Sequence, residues 1–282
     1  MIPTSIDGTD ITGATIDGTD VQEITVDGQT VFTAGPTPAP DRLYYVMNNG
    51  DMVQLDLGSK FSLSNVTETG RFSFGGNTTD VWVGDDGTKL YGTNLNDDKI
   101  YQWDLNTPYD INSRSNQITQ NQTRAHTISI SADGVHCLTS NYDNELRYGI
   151  LTTPYDVTSF NLQHTIQADT TFGSNNFADA DYVNQGNKLL VGGYFDAVTI
   201  SDLTTPYDLS TVTNVQFSTL SGSGEEKAAK FMSEDGTKLI HGNGFNQEIR
   251  EFDLSTPYDI NSRSNVLNTI STNAFVQGIH MV

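Results

Sequence analysis

The sequence predicts an all-β protein: a five-bladed β-propeller closed by its C-terminal strand and preceded by a short N-terminal arm of β-repeats. Two observations predict this fold. One phrase recurs at an interval of about fifty residues, and short apolar-alternating runs are separated by Asp-Gly and Pro-containing turns. The 3.6-residue period of an amphipathic helix is absent. A chain of 282 residues is long enough for five such blades and an arm.

The recurring phrase reads Leu-x-Thr-Pro-Tyr-Asp and ends on an apolar residue. It occurs four times, with its proline at Pro108, Pro154, Pro206 and Pro257. Successive prolines are 46, 52 and 51 residues apart. A degenerate copy lies 48 residues before the first, with Lys60 in place of proline and Phe61 in place of tyrosine. Repeats of this length with strand-like content are typical of propeller blades, and a tyrosine that recurs once per blade is predicted to be a packing residue.

Each repeat contains four predicted strands, named a to d in chain order. In the second repeat, strand a is predicted at 80–83, strand b at 89–92 and strand c at 99–105, and strand d runs on toward Ile118. The Asp-Gly dipeptide between a and b supplies the positive φ of a tight turn, and Pro108 presets φ in the turn between c and d. The other repeats follow the same order.

The first blade is incomplete at the beginning of the propeller. Residues 41–70 contain strands b, c and d, and nothing before Asp41 resembles strand a. The missing strand is predicted at 274–282, paired with residues 42–46. This pairing would close the ring without a covalent link and remove an open strand edge.

Residues 1–35 carry a different repeat of ten residues, in which Asp-Gly is flanked by apolar residues at 6–11, 16–21 and 26–31. The pattern predicts short hairpin-like strands. So small a segment cannot bury a core alone, and we expect it to need copies of itself, as in a trimer, or another protein as a partner. The Pro-rich residues 36–40 are predicted to form an extended linker between the arm and the propeller at 41–282. A disordered leader is the alternative, and a signal peptide is not expected.

The charge balance excludes two classes of partner. The chain has 35 acidic and 14 basic residues, a net charge of −21 and a pI near 4.2. Such a chain repels nucleic acid and anionic membrane, and no apolar run is long enough for membrane insertion. The composition is typical of halophilic proteins, since molar salt screens the self-repulsion. An ordinary acidic soluble protein is the alternative.

One stretch carries a family resemblance. Residues 233–240, Ser-Glu-Asp-Gly-Thr-Lys-Leu-Ile, are followed by a strand and by Asp-Leu-Ser-Thr-Pro-Tyr-Asp-Ile at 253–260. These residues resemble the propeller repeats of structural proteins from marine and haloarchaeal tailed viruses, whose usual form is DGTKxY…DLSTPxD. The pattern departs at Lys60 and at Gly-Asn-Lys of 186–188. The resemblance implies a protein on the virion surface, such as a tail-fibre, spike or capsid-turret subunit, whose residues 1–35 contact other virion proteins.

The two faces of the predicted propeller differ. The a–b and c–d turns, which are stereotyped here, lie on one face, and the b–c and d–a loops lie on the other. The variable segments 121–124, 171–177 and 221–226 fall on the second face, where recognition usually resides. Aromatic and carboxamide residues in the b–c turns predict a site for a host-surface glycan or glycoprotein, formed by Tyr142, Asn144, Tyr194, Phe195, Phe245 and Asn246. These aromatic residues could instead pack against the neighbouring blade.

Catalytic motifs are missing from the sequence. The five histidines lack metal-ligand spacing, and neither a Gly-x-Ser-x-Gly elbow nor a phosphate loop occurs. Cys137 lies in an apolar-alternating stretch and is predicted to be a buried core thiol. The sequence therefore predicts no enzymatic activity and no cofactor, although Asp-rich turns such as 96–98 could bind structural calcium. Two alternatives stay open: a lectin-like surface protein, and a glycosidase with inner-strand carboxylates Asp80, Asp179 and Asp181.

Overall fold

A computed structural model describes most of the chain. The described residues are 15–16, 19–20, 23–26, 29–33, 40–142, 144–167, 171, 177–193, 197–220, 228–244 and 246–282. The chain divides into two compact units, Met1–Ala39 and Pro40–Val282. The first repeat of the arm and residues 36–39 of the predicted linker lie outside the described residues.

The first unit contains two antiparallel strand pairs. Strand β1 (Thr15–Ile16) pairs with β2 (Thr19–Asp20), and β3 (Glu23–Val26) pairs with β4 (Gln29–Thr33). The closest partners are Ile16 with Thr19 and Val26 with Gln29. The paired strands therefore flank the Asp-Gly dipeptides of the second and third ten-residue repeats, as the sequence predicts.

The second unit consists of five four-stranded antiparallel sheets, each one blade. From blade 1 to blade 5, the inner strands a are β24 (Val276–Met281), β8 (Thr78–Val83), β12 (Ala125–Ile130), β16 (Phe177–Val183) and β20 (Ala228–Met232). The strands b are β5 (Arg42–Met47), β9 (Lys89–Asn94), β13 (His136–Asn141), β17 (Lys188–Gly193) and β21 (Lys238–Asn243). The strands c are β6 (Asp51–Leu57), β10 (Lys99–Leu105), β14 (Glu145–Leu151), β18 (Ala197–Leu203) and β22 (Glu248–Asp253). The outer strands d are β7 (Val66–Ser73), β11 (Arg114–Asn121), β15 (Phe160–Gln167), β19 (Val212–Thr219) and β23 (Asn268–Ser271).

Blade 1 is completed by the last strand of the propeller. Strand β24 pairs with β5 in antiparallel register, from Met281 opposite Leu43 to Val276 opposite Met47. The predicted five-bladed propeller with C-terminal closure is therefore confirmed. Four 3-10 helices follow the c–d turns of blades 2 to 5, at Ile111–Ser113, Val157–Ser159, Leu209–Thr211 and Ile260–Ser262.

The hydrophobic core lies in the seams between blades. Five clusters of buried apolar side chains occur in the described propeller, and each joins two adjacent blades. At the closing seam, for example, Leu43 and Val53 of blade 1 pack with Ile240 and Ile249 of blade 5. Burial of one such side chain contributes about 1.5–3 kcal/mol. The ring is therefore stabilised seam by seam, and opening one seam exposes a whole cluster.

Three seams also contain a buried hydrogen bond that a side chain of strand c accepts from the backbone of the next blade. The carbonyl oxygen of the Gln54 side chain accepts from Ile111 N–H at 3.0 Å. Val157 N–H of blade 3 donates in the same way to Gln102 Oε1 of blade 2 at 3.0 Å. Leu63 N–H of blade 1 donates to Glu251 Oε2 of blade 5 at 2.9 Å. At the closing seam the acceptor is thus a carboxylate, that of Glu251, in place of an amide.

Candidate functional site

One face of the propeller, called here the turn face, carries the a–b and c–d turns. In blades 2 to 5 the tyrosine of the recurring phrase covers the glycine of the a–b turn. A Cβ atom on Gly134 would lie 2.5 Å from the ring of Tyr155, and Gly134 has a φ of +73°. The Tyr155 N–H also donates to the Gly134 carbonyl at 2.9 Å. The recurring tyrosines are therefore packing residues that lock the turns of this face.

Blade 1 departs from this arrangement for a topological reason. Its strands a and b are not consecutive in the chain, so it has no a–b turn for an aromatic residue to cover. Phe61 occupies the tyrosine position with a φ of +54° and packs on Phe231 of blade 5, with the ring centroids 5.7 Å apart. The degenerate copy of the phrase thus lies where the tyrosine has no glycine partner.

The opposite face, called here the loop face, carries the b–c and d–a loops. The ring of Tyr142 is half-buried, and the Arg124 guanidinium lies 4.4 Å from its centroid. Asn144 has a φ of +66°, and its Oδ1 is buried without a hydrogen bond from the described residues. Asn246 is exposed and donates its N–H to Asn243 Oδ1 at 2.9 Å. The remaining predicted ligand-binding residues lie outside the described residues: Tyr194, Phe195 and Phe245.

The described members of this predicted ligand site come from two blades that are not adjacent. Tyr142 and Asn144 belong to the b–c turn of blade 3 and Asn246 to that of blade 5. One face of the Tyr142 ring is covered by Arg124. The site therefore stays a prediction, and Tyr142 fits the packing alternative better than an open stacking surface.

The inner strands bring together the three carboxylates that the sequence places near the channel. Thr127 Oγ1 of blade 3 lies 2.7 Å from Asp80 Oδ2 of blade 2 and 3.3 Å from Asp179 Oδ1 of blade 4. Ser129 donates its hydroxyl hydrogen to Asp181 of blade 4. We call these five residues the axial cluster. Asp80 and Asp179 are only 2% and 4% exposed, so the cluster is closed to solvent on most sides.

The other two inner strands also contact the cluster. The Lys230 N–H of blade 5 donates to Asp179 Oδ2 at 2.7 Å. In blade 1, a Cβ atom on Gly278 would lie 2.4 Å from Asp80 Oδ1, so only glycine allows this close approach. All five blades therefore meet at these carboxylates.

The three carboxyl groups of the cluster are less acidic than ordinary aspartates. Burial raises the pKa values of Asp80 and Asp179, and it raises the pKa of Asp181 to about 8. The geometry agrees, because the Thr127 hydroxyl has one hydrogen and cannot donate to both Asp80 and Asp179. A proton on either carboxyl group satisfies the second contact.

Three ring side chains of the inner strands lie nearer the turn face than Asp80 and Asp179. The His280 ring lies 5.2 Å from Trp82 and 6.1 Å from Phe231, measured between centroids. Burial lowers the pKa of His280 to about 3, so the imidazole is neutral. Trp82 and Phe231 occupy the same position before the a–b turn glycine as Ser129 and Asp181, so these rings lie at the level of Asp181, and only Asp80 and Asp179 lie closer to the loop face.

The described residues contain no group of three or more His, Cys, Asp or Glu side chains that could hold a metal ion. In the Asp-rich turn considered for calcium, the N–H groups of Asn96 and Asp97 donate to Asn94 Oδ1 at 2.9 and 3.2 Å. Cys137 is buried, which raises the pKa of its thiol and fits the expected core position. None of the helices in the described part of the chain has the length and apolar character needed to cross a membrane.

Comparison with known proteins adds one structural likeness. No family model and no curated protein matches the chain. Among solved structures, the chain is similar to a candidate 6-phosphogluconolactonase from Bacteroides fragilis NCTC 9343. The two are 14% identical with a TM-score of 0.50, over 90% of this chain and 76% of that one. At this identity the likeness shows a shared fold.

This comparison contradicts the prediction that the protein is not an enzyme. The structural neighbour bears the name of an enzyme, so the absence of local motifs does not exclude catalysis on this fold. The physical reason is that inner strands of separate blades bring distant residues together. Asp80 and Asp179 are far apart in sequence yet share one hydroxyl. A search for motifs within one segment cannot detect such a group.

Proposed function

We propose that the protein is a virion surface protein of a halophilic tailed virus, as a tail-fibre, spike or capsid-turret subunit whose propeller contacts the host cell surface. The observation that carries this proposal is the asymmetry between the two faces of the propeller. The turn face is built from near-identical locked turns, and the loop face from segments that differ from blade to blade.

The regular face suits attachment. Strand β5 begins on the turn face, where Arg42 and Val282 exchange backbone hydrogen bonds of 3.1 and 3.3 Å. The polypeptide therefore enters the propeller on its most uniform side. Residues 1–35 would contact other virion proteins or equivalent arms in a homo-oligomer, for which a trimer is the simplest guess.

The irregular face suits recognition. The d–a connection is short between β11 and β12, at 122–124, and long between β15 and β16, at 168–176. Loops of differing length on a rigid scaffold are where binding residues concentrate. A host glycan or glycoprotein is the expected ligand. The net charge of −21 supports a saline environment, in which surface repulsion is screened.

Labelling and adhesion test this proposal together. Antibodies raised against the full chain should decorate the outside of particles of the encoding virus in electron microscopy. The fluorescently labelled full chain should adhere to host cells in molar salt, and an acidic protein of similar charge is the control. Particles without label, combined with no adhesion above the control, would contradict the proposal.

A second candidate function is hydrolysis of a glycan, which the axial cluster favours. A carboxylic acid with a raised pKa, such as Asp181, can protonate a leaving oxygen while a second carboxylate assists. Because Asp80 and Asp179 are buried and Asp181 is partly exposed, Asp181 is the carboxyl group of the three that a sugar would meet first.

Two substrates test the hydrolase candidate. Host envelope glycans should release reducing sugar, and 6-phosphogluconolactone, the compound in the structural neighbour's name, is the second assay. Asp181→Asn should abolish either activity, and Asp202→Asn on strand c of blade 4 is the control. If the wild-type chain acts on neither substrate, this candidate fails.

A further inference from the structure

Four aromatic side chains gather at the seam between blades 1 and 2. The Phe74 ring centroid lies 5.4 Å from that of Tyr101 and 5.3 Å from that of Trp103. Tyr101 and Trp103 stack with an interplanar angle of 12°, and Phe72 meets Trp103 edge-on at 5.8 Å. Phe72 and Trp103 are buried, whereas Phe74 and Tyr101 are partly exposed. The cluster therefore has a buried base and an accessible outer pair of rings.

A glycine specific to blade 2 makes room for the outer pair. Gly92 of β9 pairs with Tyr101, and a Cβ atom on Gly92 would lie 2.7 Å from Phe74 Cζ. The residues that pair with the third position of strand c in the other blades all carry side chains: Tyr45, Thr139, Val191 and His241. The platform is therefore a property of this seam and not of the repeat.

Polar side chains of the loop face border the two rings. The Tyr101 hydroxyl donates to Asp97 Oδ2 at 2.6 Å, and Asn77 Nδ2 donates to Asn96 Oδ1 at 2.9 Å. Asp97, Asn77 and Asn96 are exposed. Asp97 Oδ1, Asn77 Oδ1 and Asn96 Nδ2 have no partner among the described residues. Two acceptors and one donor thus lie beside partly exposed aromatic rings.

We propose that Phe74, Tyr101, Asn77, Asn96 and Asp97 form a carbohydrate-binding site that takes one pyranose unit of a glycan. The C–H face of a pyranose ring is apolar and packs on aromatic rings, while its vicinal hydroxyls both donate and accept hydrogen bonds. Carboxylate and carboxamide groups at the edge of the platform complement those hydroxyls. The assignment of the glycan to the host surface rests on the proposed function; the binding site itself does not.

The hydrogen bond from the Tyr101 hydroxyl fixes the position of the Asp97 carboxylate. Burial and the bond to Asp97 raise the pKa of Tyr101 to about 12, so the phenol stays protonated and holds this carboxylate in place. Tyr101 therefore has two roles, as part of the stacking surface and as the group that positions Asp97. A change of Tyr101 to phenylalanine separates the two roles.

The test uses the full chain and the methyl glycosides of glucose, galactose, mannose and N-acetylglucosamine as probes. Saturation-transfer NMR should show binding of at least one glycoside. Tyr101→Ala should weaken that binding about tenfold or more, as expected for removal of an aromatic anchor. Asp97→Ala, an exposed change with little effect on folding, should weaken it severalfold, and Tyr101→Phe should give a loss comparable to Asp97→Ala. The matched control is Phe217→Ala, since Phe217 is 51% exposed on the outer strand of blade 4.

Two results would overturn the site: no glycoside binds the wild-type chain, or Tyr101→Ala and Asp97→Ala bind as Phe217→Ala does. Cell adhesion separates this failure from failure of the proposed function. If no glycoside binds but the wild-type chain adheres to host cells, the site is wrong and the host-contact role stands. If glycosides bind through Tyr101 but the chain does not adhere, the site stands and the host-contact role is wrong.

Discussion

The axial cluster predicts that the propeller loses stability as pH rises, opposite to the usual effect of paired carboxylates. Burial raises the pKa of Asp181 to about 8, whereas an unfolded aspartate has a pKa near 3.9. Between those values the folded protein holds a proton that the unfolded chain has released. The stabilisation is therefore complete below about pH 4 and is lost as pH rises toward 8.

The replacement Asp181→Asn removes this titration and leaves a side chain of the same shape. Each pKa unit corresponds to about 1.4 kcal/mol, so full burial would give an upper limit of roughly 5–6 kcal/mol. Asp181 is only partly buried, and we expect about 2–3 kcal/mol of extra pH dependence in the wild type relative to the variant. Most of it should fall between pH 5 and pH 8.

Urea unfolding, followed by tryptophan fluorescence at pH 5 and pH 8, measures the effect, since Trp82 lies on the axis beside His280. The control Asp202→Asn is the same chemical replacement on strand c of the same blade. Its carboxylate has a pKa lowered by Lys188, so its contribution is lost only as pH falls below about 4. That variant should therefore follow the wild type between pH 5 and pH 8. Equal pH dependence of the wild type and Asp181→Asn would refute the reasoning.

Three further predictions concern the packing of the ring. At the closing seam, Glu251→Gln keeps the acceptor for the next blade but removes the 2.9 Å ion pair with Lys238, and should cost about 1–2 kcal/mol in thermal or urea unfolding. Glu251→Ala also removes the acceptor and should cost about 2–4 kcal/mol. Gly134→Ala places a Cβ atom against the Tyr155 ring at positive φ and should lower the free energy of unfolding by about 1–3 kcal/mol. The control Gly76→Ala meets no atom within 4 Å and should leave that free energy unchanged. Equal losses in the two variants would contradict the turn-locking role. Deletion of 274–282 exposes the edge of blade 1 and the closing cluster, and should give a broad unfolding transition and aggregation in size-exclusion chromatography; a cooperative monomer would contradict non-covalent closure.

The blade architecture was predictable because each blade corresponds to one repeat of about fifty residues in the sequence. The Asp-Gly and Thr-Pro-Tyr-Asp phrases mark the turns, and the absence of a strand a before Asp41 indicates closure by the C-terminal segment. Strand ends were less predictable: strand a of blade 2 spans 78–83 rather than 80–83, and strand b spans 89–94 rather than 89–92. Backbone hydrogen bonds between strands extend beyond the apolar residues, because this pairing does not require apolar side chains.

The functional sites were less predictable because they are built across blades. The acids Asp80, Asp179 and Asp181 could be placed on inner strands, but their shared hydroxyl and burial depend on Thr127 and on the close approach at Gly278. The aromatic platform was missed altogether. Its local signal is a single glycine in strand b of blade 2, Gly92, and the significance of that glycine depends on Phe74 of the neighbouring blade.

The proposed glycan platform and the axial cluster are separable by mutation, because the cluster lies on inner strands and the platform on strand c of blade 2 and the neighbouring seam. Asp80 lies on strand a opposite Thr93, and Tyr101 lies on strand c opposite Gly92. With strands about 4.8 Å apart, their backbones are roughly 10 Å apart, on opposite sides of strand b. Loss of sugar binding in Tyr101→Ala with an unchanged pH profile of unfolding would place recognition on the platform alone. If Asp181→Asn also abolished sugar binding, the two sites would be coupled across the blades, and the axis would have to be treated as part of the binding site.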